Sequence, residues 1–196
     1  MTQKKIGIDL DNTIVNYENS FKKYLRKNDI YSKSLDKNKV KHLIKKSFKI
    51  VNWTEAQEEI YGKYVKFAKP YTYFKNFQKF ALKNKFKIYI ISHKTKFSEF
   101  SSKFNLHKAS IRWLKKNIYL KDYKIFFLNS FDKKINKINK INPDYFIDDL
   151  SQILLDKRLS KKINKIYFSK KKIDKIKNHD SWKKIIKYIK KNENIK

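Results

Sequence analysis

The sequence predicts an α/β fold: a Rossmann-like parallel sheet of about five strands flanked by helices, with a small helical cap inserted after the first strand. Three observations predict it. Short runs rich in Ile, Phe or Tyr read as buried strands, helical apolar stripes separate them, and one connection is much longer than a crossover needs.

The strand runs are KIGIDL (5–10), KIYIIS (87–92), KIFFLN (124–129), DYFIDD (144–149) and KIYFS (165–169). Each is apolar over consecutive positions, as strands covered on both faces are. Ile111, Leu114 and Ile118 follow the second run, Ile135, Ile138 and Ile141 the third, and Trp182, Ile185, Ile186 and Ile189 the fifth. These spacings place each set on one helix face. The tract KKINKINKIN (133–142) is low in complexity, yet its isoleucine spacing makes it a basic amphipathic helix. Strand and helix in alternation require right-handed crossovers and put ligands beyond the carboxyl ends of the strands.

The exceptional connection runs from Asn16 to Lys85, whereas a crossover takes about a dozen residues. It carries helical patterns of its own: Phe21, Tyr24 and Leu25, then Val40, Leu43, Ile44 and Phe48, then a helix opened by TEAQ. In the last of these, Thr54 and Gln57 fit a capping box, Ile60, Tyr64 and Phe67 form the stripe, and Pro70 marks the stop. The expected division is a core of 1–15 and 86–196 with a helical cap of 16–85.

Composition narrows the function classes. With no cysteine, disulfides, thiolate metal sites and a cysteine nucleophile are excluded. No apolar run approaches the roughly 18 residues of a membrane span, and the start lacks the apolar stretch of a signal peptide, so a cytoplasmic protein without a membrane partner is expected. The net charge of +32 invites a polyanion partner. Of the 50 basic residues, however, only Arg26, Arg112 and Arg158 are arginine, the better reader of phosphates and bases. Lys, Asn, Ile, Tyr and Phe, all abundant, share AT-rich codons, so we read the charge first as genome composition and nucleic acid as a lesser expectation. The densest basic stretch is Lys157 to Lys196.

The polar residues at the strand ends carry the chemistry. Asp9 and Asp11 close the first run, Ser92 the second, and Asp148 with Asp149 the fourth. Ionised carboxylates at the tip of a buried strand cost several kcal/mol unless a cation or strong donors meet them. A carboxylate cluster with little His and no Cys on one sheet edge reads as a hard-cation site, Mg²⁺ before Ca²⁺ or Zn²⁺.

The segment DLDNT (9–13) resembles the D-x-D-x-T signature of the haloacid-dehalogenase-like (HAD) hydrolase superfamily, most of whose members are Mg²⁺-dependent phosphatases. Ser92 matches its second motif, a Ser or Thr ending an apolar strand, and IDD (147–149) its fourth, acidic motif. For the third motif, a lysine ahead of the acidic strand, Lys133, Lys134, Lys137 and Lys140 compete. Lys134 is favoured because it sits where the helix leading into PDYFIDD should begin. The insertion falls where the superfamily carries its C1-type cap.

The resemblance implies Asp9 as nucleophile, forming an aspartyl-phosphate, and Asp11 as the acid that protonates the leaving alcohol and later activates water. Ser92 would donate to a phosphoryl oxygen and Lys134 would neutralise charge. Asp9, Asp11, Asp148 and Asp149 would hold Mg²⁺, directly or through water. The second aspartate, Asp11, favours a phosphatase over a dehalogenase. Asn12 stands where many relatives have glycine, and Asn tolerates positive φ well. The implied substrate is a small phosphorylated metabolite such as a sugar phosphate or nucleotide. A nucleic-acid-end phosphatase and a non-catalytic basic binding protein are the competing functions.

Overall fold

The computed structural model describes residues 3–47, 53–120 and 122–195. The chain divides into two compact units, one of Met1–Val15, Pro70–His93 and Tyr119–Lys196, the other of Asn16–Lys69 and Lys94–Ile118. The helices in chain order are α1 (Glu18–Lys27), α2 (Lys37–Lys46), α3 (Trp53–Glu58), α4 (Phe74–Lys83), α5 (Leu106–Asn117), α6 (Phe131–Ile141), α7 (Ser151–Leu154) and α8 (Trp182–Asn192). None in the described residues is long and apolar enough to cross a membrane.

In the first unit, β1 (Lys5–Ile8), β2 (Lys87–His93), β3 (Tyr123–Leu128), β4 (Tyr145–Asp148), β5 (Asn164–Phe168) and β6 (Lys177–His179) form one parallel sheet. Their spatial order is β3-β2-β1-β4-β5-β6. β1 lies at its centre, with Ile6 opposite Ile88 on one side and Tyr145 on the other. The strand order reverses direction between β1 and β4, and in open α/β sheets such a switch point opens the ligand crevice at the carboxyl ends.

Alternation along the strands feeds two cores. On one face Tyr89 and Ile91 of β2 and Phe146 of β4 pack with Ile135 and Ile138 of α6 and Ile153 and Leu154 of α7. On the other, Trp182 of α8 packs against Phe74 and Phe77 of α4, with ring centroids 4.8 and 4.5 Å away, and against Phe168 of β5 at 5.7 Å. Gly7 is required at the centre of β1, because a Cβ there would meet Cδ2 of Phe146 at 2.7 Å.

The second unit is helical. Tyr17, Phe21, Tyr24 and Leu25 of its first segment are buried, and a buried Glu58 accepts from the Ser101 hydroxyl at 2.8 Å and the Phe104 amide at 3.1 Å, tying α3 to the loop ahead of α5. After α3 the backbone widens into a π turn (Glu59–Lys63) and tightens into a 3-10 turn (Val65–Phe67). Gly62 lies in the π turn, where a Cβ would meet Phe104 Cβ at 2.6 Å.

Several expectations change. The first strand ends at Ile8 rather than 10, and β6 adds a sixth strand whose sequence, KNH, carries no apolar pattern. The stretch 70–85 belongs with the first unit rather than the cap, because Phe74 and Phe77 of α4 pack on Trp182. Conversely, 94–118 belongs with the helical unit, where Trp113 of α5 donates its indole N–H to the Ala68 carbonyl at 2.9 Å. Thr54 lies within α3 rather than ahead of it, and Phe67, at the end of the 3-10 turn, is 36% exposed while Ile60 and Tyr64 are buried. Phe48 lies outside the described residues.

Candidate functional site

The turn after β1 is built to leave strand geometry. Asn12 has φ of 59°, the left-handed conformation that Asn adopts at low cost, and its amide donates to the Val15 carbonyl at 3.0 Å. The amides of Ile14 and Val15 both donate to the Leu10 carbonyl at 3.0 Å, closing the turn on itself. The Trp182 indole donates to the Thr13 carbonyl at 3.1 Å and the Tyr71 amide to the Ile14 carbonyl at 2.9 Å. Asp9 enters this turn with its amide bonded to the Ile147 carbonyl at 2.9 Å, so neighbouring strands set its position.

Around Asp9 the structure gathers Asp148, Asp149 and Lys134. One carboxylate oxygen from each of Asp9, Asp148 and Asp149 lies within 4.8 Å of the others. Lys134, completely buried, places Nζ 2.6 Å from Asp9 Oδ1 and 2.7 Å from Asp148 Oδ2. Of the four competing lysines it is the one brought to the aspartates, while Lys133 and Lys140 are exposed and Lys137 lies over the Phe126 ring at 4.4 Å. The helix start explains this: Ser130 caps α6 by accepting from the Lys133 amide at 3.2 Å, which aims the first turn at the strand ends. The Leu150 amide donates to Asp148 Oδ1 at 2.8 Å, fixing that carboxylate from below.

Asp11 is half-buried and stands outside the trio of converging carboxylates. Its charge still reaches Asp9. Ser92, at the end of β2, is 1% exposed and its Oγ has no hydrogen-bond partner among the described residues. His93 beyond it is exposed and tilts against the Phe131 ring at 4.5 Å. Thr13, the threonine of the DLDNT segment, is completely buried. Its hydroxyl approaches Asp149 Oδ1 at 3.4 Å.

The electrostatics favour an additional cation. Burial pushes the Asp9 carboxyl well above the usual carboxylate range, the charges of Asp148, Asp149 and Asp11 push it further, and Lys134 alone pulls against them. Burial favours neutral Lys134, but the attraction and hydrogen bonds of Asp148 and Asp9 outweigh it and hold the ammonium charged. Burial also lowers His93, which is thereby inclined to the neutral form. One ammonium among several carboxylates leaves net negative charge in an all-oxygen donor set, a combination that suits a hard divalent cation. The orphaned Ser92 hydroxyl is in turn a donor awaiting an acceptor.

No protein-family model matches the chain, and no curated protein matches it. Solved structures do. A HAD-hydrolase of Bacillus subtilis bound to magnesium, for which interdomain movement is described, superposes with a TM-score of 0.61 at 11% identity over 100% of both chains. A HAD-superfamily hydrolase of Ehrlichia chaffeensis gives 0.53 at 15% identity over 97% of this chain and 98% of that one. A Thermotoga maritima structure assigned as a β-phosphoglucomutase gives 0.59 at 9% identity over 96% and 99%.

Proposed function

Since the chain has the fold of the HAD-superfamily hydrolases, we propose that it is a phosphomonoester hydrolase that takes a small phosphorylated metabolite through an aspartyl-phosphate on Asp9. The observation that carries this reading is the convergence of Asp9, Asp148 and the half-buried Asp149 at the switch point of the sheet, with buried Lys134 bridging Asp9 and Asp148. A phosphate monoester is anionic, so a carboxylate can attack it only where cations offset the repulsion.

Asp9, Asp148 and Asp149 would hold a Mg²⁺ ion, which when bound supplies charge neutralisation for the phosphoryl oxygens. The chain's own groups account for the remaining chemistry. Lys134 orients Asp9 and offsets its charge through the 2.6 Å contact. An Asp9 carboxylate oxygen attacks phosphorus as the ester P–O bond breaks, and Asp11 gives its proton to the departing alkoxide. Asp11, now ionised, takes a proton from water. That water attacks the phosphorus, the Asp9–phosphorus bond breaks, and inorganic phosphate leaves. The Ser92 hydroxyl donates to a phosphoryl oxygen throughout, and Asn12 turns the chain directly after Asp11. The helical unit, entered directly after this turn and again after His93, serves as the cap that selects the substrate. The test is hydrolysis of an aryl phosphate followed by a screen of phosphorylated metabolites. Activity should require added Mg²⁺, vanish with a chelator, and be absent in Asp9→Asn. Turnover by Asp9→Asn at near wild-type rate would remove Asp9 as nucleophile.

A further inference from the structure

The second unit contains a groove of about 550 Å³ bordered by α1, the 3-10 turn and the end of α5. That volume lies within the range of small-ligand pockets, roughly 300–1,000 Å³. Its charge is distinctive even in this chain. Lys and Arg are 50 of 196 residues, about a quarter, yet Lys22, Lys23, Arg26, Lys66, Lys69 and Lys116 are six of the ten that line the groove, with no acidic residue among them. All six are exposed, and none has an ion pair among the described residues. Lys27, next to Arg26 in sequence, is by contrast paired with Glu59 at 3.1 Å. Six unpaired cations around one concavity repel each other, and an anion relieves that repulsion.

The groove also presents an aromatic ring. Phe67 is 36% exposed, with Nζ of Lys23 and Lys66 at 5.2 and 5.3 Å from its centroid and Tyr64 stacked beside it at 6.3 Å. Phe67 closes the 3-10 turn that follows the π turn, and π turns recur at functional positions. A ring amid cations suits a ligand with a planar face and phosphates, since bases stack on aromatic side chains while lysines and arginine follow the phosphates. We infer that this groove binds a nucleotide, free or as a unit of a single strand, with its base on Phe67 and its phosphates on Lys23, Arg26 and Lys66. The inference rests on the second unit alone and is independent of the hydrolysis proposed above.

The test uses the full chain and a fluorescent single strand of about ten thymidylates, within the usual span of single-strand sites, at about 0.15 M salt, where sequence-independent binding falls near 10⁻⁴ to 10⁻⁶ M. Wild type should bind in the micromolar range. Phe67→Leu removes the ring and keeps apolar bulk, and should weaken binding roughly 5- to 100-fold. The pair Lys23→Gln with Arg26→Gln should weaken it and flatten the slope of log K against log salt by about 1.4. The pair Lys171→Gln with Lys172→Gln, exposed on the other unit, should leave affinity within twofold. Either groove variant decides the matter if the other fails to fold. AMP and ATP as competitors distinguish the sources: displacement by AMP identifies a free nucleotide, resistance to it a strand. Wild-type binding absent at millimolar protein, Phe67→Leu within twofold of wild type, equal weakening by the Lys171 and Lys172 pair, or displacement by tripolyphosphate as effective as by ATP would each overturn the inference.

Discussion

Replacing Lys134 with Met should expose how the carboxylate cluster is held together. Nζ is completely buried and lies 2.6 Å from Asp9 and 2.7 Å from Asp148. At an effective dielectric of about 20, each contact has a gross Coulomb attraction of about 6 kcal/mol, much of it cancelled by desolvation. What the substitution leaves behind matters more than what it removes, because two buried carboxylates lose their cation. Breaking a buried pair in this way costs about 3–5 kcal/mol. For a chain of 196 residues each kcal/mol lowers Tm by about 2–4 °C, so a fall of about 6–20 °C is expected. The assay is thermal unfolding followed by circular dichroism, with a chelator present, near pH 7.5. Burial already raises the Asp9 carboxyl and Lys134 opposes that rise, so without Lys134 its folded-state pKa should lie further above the unfolded value, and the deficit should shrink as pH is lowered and a proton replaces the ammonium. Added Mg²⁺ should raise the Tm of the variant more than that of wild type, because it binds the folded cluster and Lys134 no longer repels it. A fall below about 2 °C in the chelator, or a deficit independent of pH, would refute the assignment of Lys134 as the cation on which Asp9 and Asp148 depend.

Three further outcomes are expected. Gly7→Ala should destabilise the first unit by about 1–3 kcal/mol, read by urea unfolding, because its Cβ would meet the Phe146 ring at 2.7 Å. Asn12→Ala should cost about 1–2 kcal/mol through its φ of 59°, and Asn12→Gly should recover most of that loss in the same melts. The side-chain and backbone hydrogen bonds of Arg158 hold the Asp156 carboxyl down to about 2, below its unfolded value of about 3.9. Its contribution is therefore present above the unfolded value and fades as pH falls from about 5 to about 2, so the stability gap between wild type and Asp156→Asn should close over that window in acid titrations.

The legible parts of the molecule were those in which one short stretch carries both pattern and chemistry. KIGIDLDN announces a buried strand and its acidic tip, though not where the strand stops, and the positive φ foreseen for Asn12 is present. Ser92 and the pair Asp148 and Asp149 were legible as strand-end groups because apolar runs lead directly into them. Lys134 could be preferred over its neighbours only through the start of its helix, and the capping by Ser130 supplies the physical basis. What was illegible depends on partners distant in sequence. The stretch 70–85 lies in the long connection after the first strand, but the packing of Phe74 and Phe77 on Trp182, about a hundred residues on, decides which unit it joins. β6 is three polar residues paired by backbone alone, so no side-chain pattern could reveal it. The π turn accompanies the close approach of Gly62 and Phe104, a contact between segments that the sequence keeps well apart. The basic groove likewise unites positions from three separate stretches, and a uniform wash of lysine concealed it.

The central position of β1 bears on how the chain is made. During vectorial synthesis this strand is made well before both its neighbours in the sheet: the Lys5 amide waits for an Asp144 carboxylate 139 residues downstream, and the partner strand β2 follows only after the first helical segment. Closing contacts over such separations is slow, and an unpaired apolar strand is an adhesive edge meanwhile. Lys4 and Lys5 precede the strand's isoleucines, and charges flanking an apolar run act as gatekeepers against that adhesion. A nascent chain stalled before residue 145 would display Ile6 and Ile8 with one side of the ladder open, so the same strand that presents Asp9 in the finished protein is its principal hazard during birth.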